Sequence, residues 1–156
     1  LTATIGVLTW NLMGKQPKPN FDCSRHLLPK VKLDSNPAPD LYIVGLQEMV
    51  ELTVAGSVIC AKDRARMEQW EQIMRLGLNK RTGQHYGCLL RKVMFGCFVM
   101  LFVRSDNFTF IKDMQTVKVM TGTKGFTANK GSVAINFSFH DTSFMFLNCH
   151  LPSGQT

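Results

Sequence analysis

Two apolar runs in the second half of the chain are flanked by side chains of the kinds that bind phosphate. Asn129 and Lys130 lie in an Asn-Lys-Gly turn ahead of the run Val133–Phe139, and the run Ser143–Leu147 leads to His150. An amide, an ammonium and an imidazole at strand ends suit a polyanionic substrate such as a phosphate ester. A lone histidine is more often structural than catalytic, so the pattern leaves both readings open at this point.

Two further polar side chains follow apolar runs in the first half of the chain. Asn11 ends a β-branched, apolar segment, and Glu48 ends the run from Leu41 to Leu46. The carboxyl ends of strands are where α/β folds often place chemistry. A glutamate there could hold a hard divalent cation, because Mg²⁺ commonly takes only one or two protein carboxylates. The alternatives are that Asn11 caps a turn and that Glu48 begins a helix.

The segment Thr121–Gly131 is a glycine-punctuated loop that carries Lys124 and Lys130. Glycines allow backbone amides to converge on an anion, and the two lysines add point charges. The GxxxxGK[ST] spacing of a P-loop is absent. In isolation, a solvated basic hairpin explains this segment equally well.

Composition describes one globular domain with a basic surface. The chain has 156 residues, of which 45% are apolar, and a formal charge of +7, which favours acidic partners without choosing among them. The five cysteines form no CxxC pair and several lie in apolar runs, which predicts reduced thiols in an intracellular compartment. No membrane-spanning run or secretory leader is predicted, and a start at Leu1 suggests a piece of a longer chain.

The order of the apolar runs predicts an α/β chain. Helices are predicted at Cys23–Leu28 and at Asp63–Leu78, with Asp63 as the N-cap of the second. Strands are predicted at these segments: Thr2–Leu12 (buried on both faces), Leu41–Leu46, Tyr86–Val93, Cys97–Val103, Phe108–Met114, Val117–Met120, Val133–Phe139 and Ser143–Leu147. Ser105–Asn107 and His140–Thr142 are predicted to be tight turns between adjacent antiparallel strands.

Taken in order, four motifs resemble the inositol polyphosphate 5-phosphatases. They are Thr-Trp-Asn ending at Asn11, Gly-Leu-Gln-Glu ending at Glu48, the Asn-Lys-Gly-Ser-Val turn at Asn129, and Asn-x-His-Leu around His150. Spacer segments such as Phe137–Ser143 also match. That family belongs to the Mg²⁺-dependent phosphoesterases with the DNase-I-like fold. The resemblance implies a four-layer α/β sandwich of two mixed β-sheets flanked by helices, of which residues 1–156 form the N-terminal part.

The resemblance also implies a role for each motif. Glu48 would ligate Mg²⁺, with Asn11 beside it, and His150 would contact the scissile phosphate, with Asn148 helping to order that strand end. Three further residues would bind the phosphates of the inositol ring: Asn129, Lys130 and, as a helper, Lys124. The implied reaction is in-line attack of water on the 5-phosphate of inositol phosphates or phosphoinositides.

The sequence departs from the family in two respects. Ala128 stands where the family usually has glycine before its Asn-Lys-Gly, and the family's Gly-Asp-Leu-Asn, Pro-Ala-Trp-Cys-Asp-Arg and Ser-Asp-His segments have no counterpart. We therefore expect the C-terminal half of the catalytic domain to be missing and these residues alone to be inactive. This part is expected to supply about one sheet with its covering helix, and to leave one sheet face uncovered.

The family resemblance predicts a cytoplasmic enzyme that touches anionic membranes peripherally at their cytosolic face. No nucleic-acid partner and no transmembrane segment are expected. Two alternatives remain: a related nuclease or sphingomyelinase on the same scaffold, or a truncated, non-catalytic phosphoinositide-binding module.

Overall fold

A computed structural model describes residues 2–18, 20–28, 38–49, 61–121 and 130–151. The described residues form two helices and seven strands, joined in one place by a 3₁₀ helix at Ser105–Phe110. The helices are α1 (Ser24–Leu27) and α2 (Ala61–Thr82). The strands are β1 (Ile5–Asn11), β2 (Leu41–Gln47), β3 (Tyr86–Met94), β4 (Cys97–Arg104), β5 (Ile111–Met120), β6 (Gly131–Phe139) and β7 (Thr142–His150).

The strands form two sheets. The first has the order β1-β2-β4-β3, with β1 parallel to β2 and the other pairs antiparallel, and the second is the antiparallel sheet β5-β6-β7. The predicted α/β architecture with two facing sheets is confirmed. The expectation that this part supplies about one sheet is wrong, because β5, β6 and β7 pair with one another and pack against the first sheet.

The core lies in two layers on either side of the first sheet. One face of that sheet packs against the helices, where Trp70, Met74 and Leu78 recur every fourth residue along one side of α2 and are buried. The other face packs against the second sheet. Strand β6 of that sheet directs Val133 and every second residue after it into the core between the two sheets. Strand β2 is buried along its whole length because it serves both layers, which explains its continuous apolar run.

Strand β1 is less buried than the sequence predicts. It pairs with β2 on one side and is the edge strand of its sheet, so Val7, Thr9 and Asn11 are exposed. The prediction that this strand is buried on both faces is therefore wrong for the described residues. The strand nevertheless ends at Asn11, and its register pairs Asn11 with Gln47 at the end of β2.

The segment after β4 differs most from the prediction. Ser105–Asn107 is not a hairpin turn but part of the 3₁₀ helix, which carries the chain from the first sheet to the second. Phe108 and Phe110 belong to that helix, and the two strands predicted after it are one strand, β5, with a bulge between Lys112 and Gln115. Hydrophobic alternation breaks at a bulge, which is why one strand is predicted as two.

Other predicted bounds are close to the observed ones. The tight turn at His140–Asp141 joins β6 to β7 as predicted, and α1 lies inside the predicted helix. Helix α2 begins at Ala61, so Asp63 is inside the helix and not its N-cap.

None of the helices in the described ranges is long and apolar enough to cross a bilayer. On the second sheet, Val117, Val119, Met145 and Leu147 are exposed apolar side chains, in keeping with the predicted uncovered face.

A polar cluster around Asp40 joins strands at the N-terminal end of β2. The carboxylate of Asp40 accepts hydrogen bonds from the Thr4 amide (2.8 Å) and the Asn107 side chain (3.0 Å), and it pairs with Arg104 (2.8 Å). Asn107 is buried there. One carboxylate thus ties the residue before β1, the end of β4 and the 3₁₀ helix together.

Replacing Asp40 by alanine should destabilise the fold, because three donors lose their acceptor. We expect Asp40→Ala to lower the free energy of unfolding by about 2–4 kcal/mol, since a hydrogen bond to a charged group contributes roughly 1.5–3 kcal/mol. Urea denaturation followed by circular dichroism measures this. Asp141→Ala, in the exposed turn after β6, is the control and should cost less than about 0.5 kcal/mol; equal losses for the two variants would contradict the assignment.

Candidate functional site

The side chains predicted to do chemistry meet at one end of the sandwich. Asn11 ends β1, Glu48 follows β2, His150 ends β7 and Lys130 precedes β6. Strands β1 and β2 are parallel, so their C-terminal ends lie at the same edge. The second sheet brings Gly131 opposite His150 in the β6–β7 register, which places Lys130 beside the imidazole.

Direct contacts join these four side chains. Asn11 Nδ2 donates to Glu48 Oε1 at 3.0 Å, and the same oxygen lies 3.4 Å from His150 Nε2. Lys130 Nζ lies 2.8 Å from His150 Nε2. Because an ammonium only donates, this contact requires Nε2 to accept, and a neutral ring then carries its proton on Nδ1. Glu48 and His150, which the family resemblance implies act at the same phosphate, thus lie close together across the two sheets.

Glu48 reaches the site because the backbone turns sharply where β2 ends. Strand alternation would send the side chain after Gln47 to the opposite face of the sheet, but Glu48 has φ +50°, in the left-handed region. Hydrogen bonds hold the turn: Gly14 N donates to the Glu48 carbonyl at 2.8 Å, and Met49 N donates to the Gly96 carbonyl at 3.0 Å. This conformation costs a non-glycine residue about 1–2 kcal/mol, and the contacts around it hold the carboxylate between the sheets.

Asn11 is held in turn by its own backbone neighbours. Its Oδ1 accepts from the Met13 amide at 2.9 Å, which leaves Nδ2 directed at Glu48. The preceding residue, Trp10, points to the other side of β1, where its ring lies 5.9 Å from that of Trp70 on α2. The helix-facing tryptophan therefore anchors the strand end that presents Asn11.

Two buried amides lie directly beneath these side chains. Gln47 precedes Glu48 and Asn148 lies two residues before His150; both are buried, and Gln47 Nε2 donates to Asn148 Oδ1. Asn148 Nδ2 donates at 2.9 Å to the carbonyls of Leu46 and Phe98, the last residues paired between β2 and β4. Asn148 thus bridges the two sheets, which is more than the ordering of its own strand end that the sequence predicts.

Sequence reasoning did not assign a role to Gln47 or Cys97. The Cys97 thiol donates to the Asn148 carbonyl at 3.4 Å, and burial raises its pKa to about 12, so it stays a protonated donor at neutral pH. The available signal for Gln47 is its position: it precedes the glutamate at the end of a fully buried strand, where a polar side chain requires a partner.

Two predicted substrate-binding residues, Asn129 and Lys124, lie outside the described residues, as does Ala128. Their neighbour Lys130 is described, and its carbonyl accepts from the Thr121 amide at 2.9 Å. This bond closes the base of the loop between β5 and β6. Lys130, at the end of this loop, lies beside His150.

The chain was compared with known proteins. The family model for endonuclease/exonuclease/phosphatase family 2 matches residues 8–156, and this chain belongs to that family. Similar proteins include the polyphosphatidylinositol phosphatase INP53 of Saccharomyces cerevisiae (34% identical, over 99% of this chain) and the type IV inositol polyphosphate 5-phosphatase 9 of Arabidopsis thaliana (30%, over 99%). Human synaptojanin-2 is 34% identical over 97% of this chain. The chain spans only 14%, 40% and 11% of these three proteins.

Solved structures show the same fold. The inositol polyphosphate 5-phosphatase domain of SPsynaptojanin, solved with inositol (1,4)-bisphosphate and calcium ion, superposes with a TM-score of 0.79 at 30% identity. The match covers 99% of this chain and 41% of that one. A Cimex nitrophorin, solved as a ferrous NO complex, shares the fold at 15% identity with a TM-score of 0.63, covering 95% of this chain and 46% of its own. The fold alone therefore does not determine the chemistry.

Gly131 is the position at this site that least tolerates a side chain. Its φ is +146°, and a Cβ atom would lie 2.1 Å from the Val119 carbonyl oxygen on β5. We expect Gly131→Ala to separate β6 from β5 beside Lys130 and to lower the free energy of unfolding by at least about 1–3 kcal/mol. Thermal unfolding measures the loss. Gly83→Ala provides the control: Gly83 has φ +70° and no atom near its added Cβ, so it carries the backbone strain without the collision and should cost less.

Proposed function

We propose that this chain is part of a magnesium-dependent phosphatase that removes the 5-phosphate of inositol phosphates or phosphoinositides. The observation that carries the proposal is the convergence of a carboxylate, an imidazole and an ammonium on one point, with Glu48 Oε1 3.4 Å and Lys130 Nζ 2.8 Å from His150 Nε2. The similarity to a 5-phosphatase domain solved with an inositol bisphosphate supports the choice of substrate. Because the chain spans 41% of that domain, the activity is proposed for a longer enzyme.

The donor set at the site fits a hard divalent cation of the magnesium type. Within the described ranges, no three His, Cys, Asp or Glu side chains form a ready-made metal cluster, and Glu48 is the carboxylate at the strand ends. Mg²⁺ is commonly held by one or two carboxylates and keeps several waters, so one glutamate suffices on this side of the site. Asn11 would orient the Glu48 carboxylate through its 3.0 Å hydrogen bond. When bound, the cation would offset charge on the phosphate oxygens.

His150 and Lys130 would contact the scissile phosphate from the second sheet. The Lys130 ammonium offers three donors, and the imidazole Nε2 faces the same space. A phosphate oxygen placed between them would accept a charge-assisted hydrogen bond from the Lys130 ammonium in place of the His150–Lys130 contact, and a second hydrogen bond from His150 Nε2 when that nitrogen carries a proton. Such donors favour the charge that develops on the phosphoryl oxygens as water attacks in line.

Specificity for the inositol ring would come from the loop between β5 and β6. Asn129 and Lys124, with Lys130, would bind the ring phosphates that are not hydrolysed. The basic balance of the chain, +7, also suits peripheral contact with an anionic membrane at its cytosolic face, where phosphoinositides present their headgroups. The alternatives are hydrolysis of DNA or sphingomyelin by the same scaffold, and phosphoinositide binding without turnover.

Removing the charge of Glu48 should abolish metal-dependent turnover. In the full-length protein we expect Glu48→Gln to lower kcat for phosphate release from inositol (1,4,5)-trisphosphate by about 10²-fold or more, because electrostatic stabilisation at such a site contributes at least that much. Malachite-green detection of phosphate, with Mg²⁺ and with EDTA, provides the measurement. Glu71→Gln, which removes a glutamate that pairs with Arg91 on the surface, should leave kcat unchanged. Equal activity of Glu48→Gln and wild type would sink the metal assignment.

The isolated chain of 156 residues should not turn over the substrate. We expect no Mg²⁺-dependent phosphate release from it, because the water-activating and second phosphate-binding segments of the resembled family have no counterpart here. The same assay on the purified chain, run beside the full-length protein, tests this. Turnover by the isolated chain would show that the residues present are sufficient.

A further inference from the structure

Three strands that carry site residues are tied together one layer below the site. Gln47 Nε2 donates to Thr9 Oγ1 at 3.1 Å on β1 and to Asn148 Oδ1 on β7. We call Thr9, Gln47 and Asn148 the polar layer. Each of its members precedes a site residue on its own strand by one or two positions: Thr9 precedes Asn11, Gln47 precedes Glu48, and Asn148 precedes His150.

The polar layer is built into the fold. Asn148 is 5% exposed and uses both Nδ2 protons on the carbonyls of Leu46 and Phe98, where the β2–β4 ladder ends. A Cβ atom on Gly45 would lie 2.9 Å from Asn148 Cγ and from Oδ1, so the absence of a side chain at Gly45 makes room for the amide. Asn148 therefore links the two sheets through hydrogen bonds, which have directional geometry.

The apolar contacts between the sheets do not set this geometry by themselves. Hydrophobic burial is non-directional, so apolar contacts specify the relative position of two sheets less sharply than hydrogen bonds do. An amide such as Asn148, which donates to two carbonyls and accepts from the Gln47 amide, satisfies all three hydrogen bonds in one register only. The Glu48 Oε1–His150 Nε2 separation of 3.4 Å spans the two sheets and therefore depends on that register.

We infer that Thr9, Gln47 and Asn148 are positioning residues, which set the separation of the Glu48 carboxylate from the His150 imidazole by hydrogen-bonding β1, β2 and β7 directly beneath the site. This inference rests on the proposed phosphatase function for its kinetic consequence. Its structural consequence, the separation itself, stands independently of any reaction. The polar layer touches no substrate in this scheme and acts only through Asn11, Glu48 and His150.

The test uses the full-length protein with Gln47→Met, Asn148→Ala and the double variant. We expect each single variant to lower kcat for inositol (1,4,5)-trisphosphate by about 10²-fold, because a displacement of about 1 Å at a reacting group costs that much. KM should change less than about threefold, and the double variant should be no slower than the slower single variant, because both remove the same link. Crystal structures of the variants should show the Glu48–His150 separation widened by about 1 Å.

The control is Asn107→Ala. Asn107 is also a buried amide, 9% exposed, and donates to Asp40 at 3.0 Å at the opposite end of β2. It should lower the melting temperature as much as the layer variants do while leaving kcat and the Glu48–His150 separation unchanged. The exchanged pair Gln47→Asn with Asn148→Gln, which keeps two facing amides, should recover at least tenfold of the lost kcat.

The outcomes separate the inference from the function on which it rests. Absence of turnover in wild type counts against the proposed function, while the separations in the crystal structures still test the positioning role. Wild-type kcat in Gln47→Met and Asn148→Ala, or an equal loss of kcat in Asn107→Ala, overturns the inference. If Asn148→Ala does not fold, Thr9→Val and Gln47→Met, which keep side-chain volume, decide by the same two measurements.

Discussion

The packing of one β-sheet against the other is the constraint on which the rest of this structure depends. Glu48 directly follows β2 of the first sheet, and His150 ends β7 of the second. About a hundred residues of chain separate the two in the sequence, so only the packing of the sheets brings them together. Their 3.4 Å approach exists only because β2 is buried between two layers and β7 lies across its end. The apolar inner faces supply the free energy that holds the sheets together, and the buried amides of Gln47 and Asn148 supply direction.

At the candidate site, the strained backbone of Glu48 is held in place by neighbouring hydrogen bonds. Glu48 adopts a left-handed backbone conformation, and hydrogen bonds from Gly14 and to Gly96 surround it. Strained residues of this kind persist where their surroundings hold them firmly, and they are common at functional sites. At the opposite end of β2, Asp40 and Arg104 form a polar cluster whose geometry joins strands without strain of that kind. The strained turn therefore lies at the candidate site, while the polar cluster at the other end of the strand joins neighbouring elements.

The structural match to a nitrophorin shows that this two-sheet fold occurs in proteins that bind different groups. A protein with 15% identity and a TM-score of 0.63 shares the two-sheet scaffold yet was solved as a ferrous NO complex. The scaffold fixes where strand ends meet, and the side chains at those ends determine what is bound there. In this chain, the ends of β1, β2 and β7 carry or adjoin the polar side chains of the candidate site.

The sequence by itself predicted most of the elements and the candidate site residues, because hydrophobic period and motif order can be read from short stretches of the chain. It placed β2, β6 and β7 within a few residues and singled out Asn11, Glu48, Lys130 and His150. Only the tertiary structure decided how strands divide between two sheets, that Ser105–Phe110 is a 3₁₀ crossing, and that Gln47 meets Asn148. Those outcomes depend on contacts between residues distant in sequence, whose energies no local pattern records.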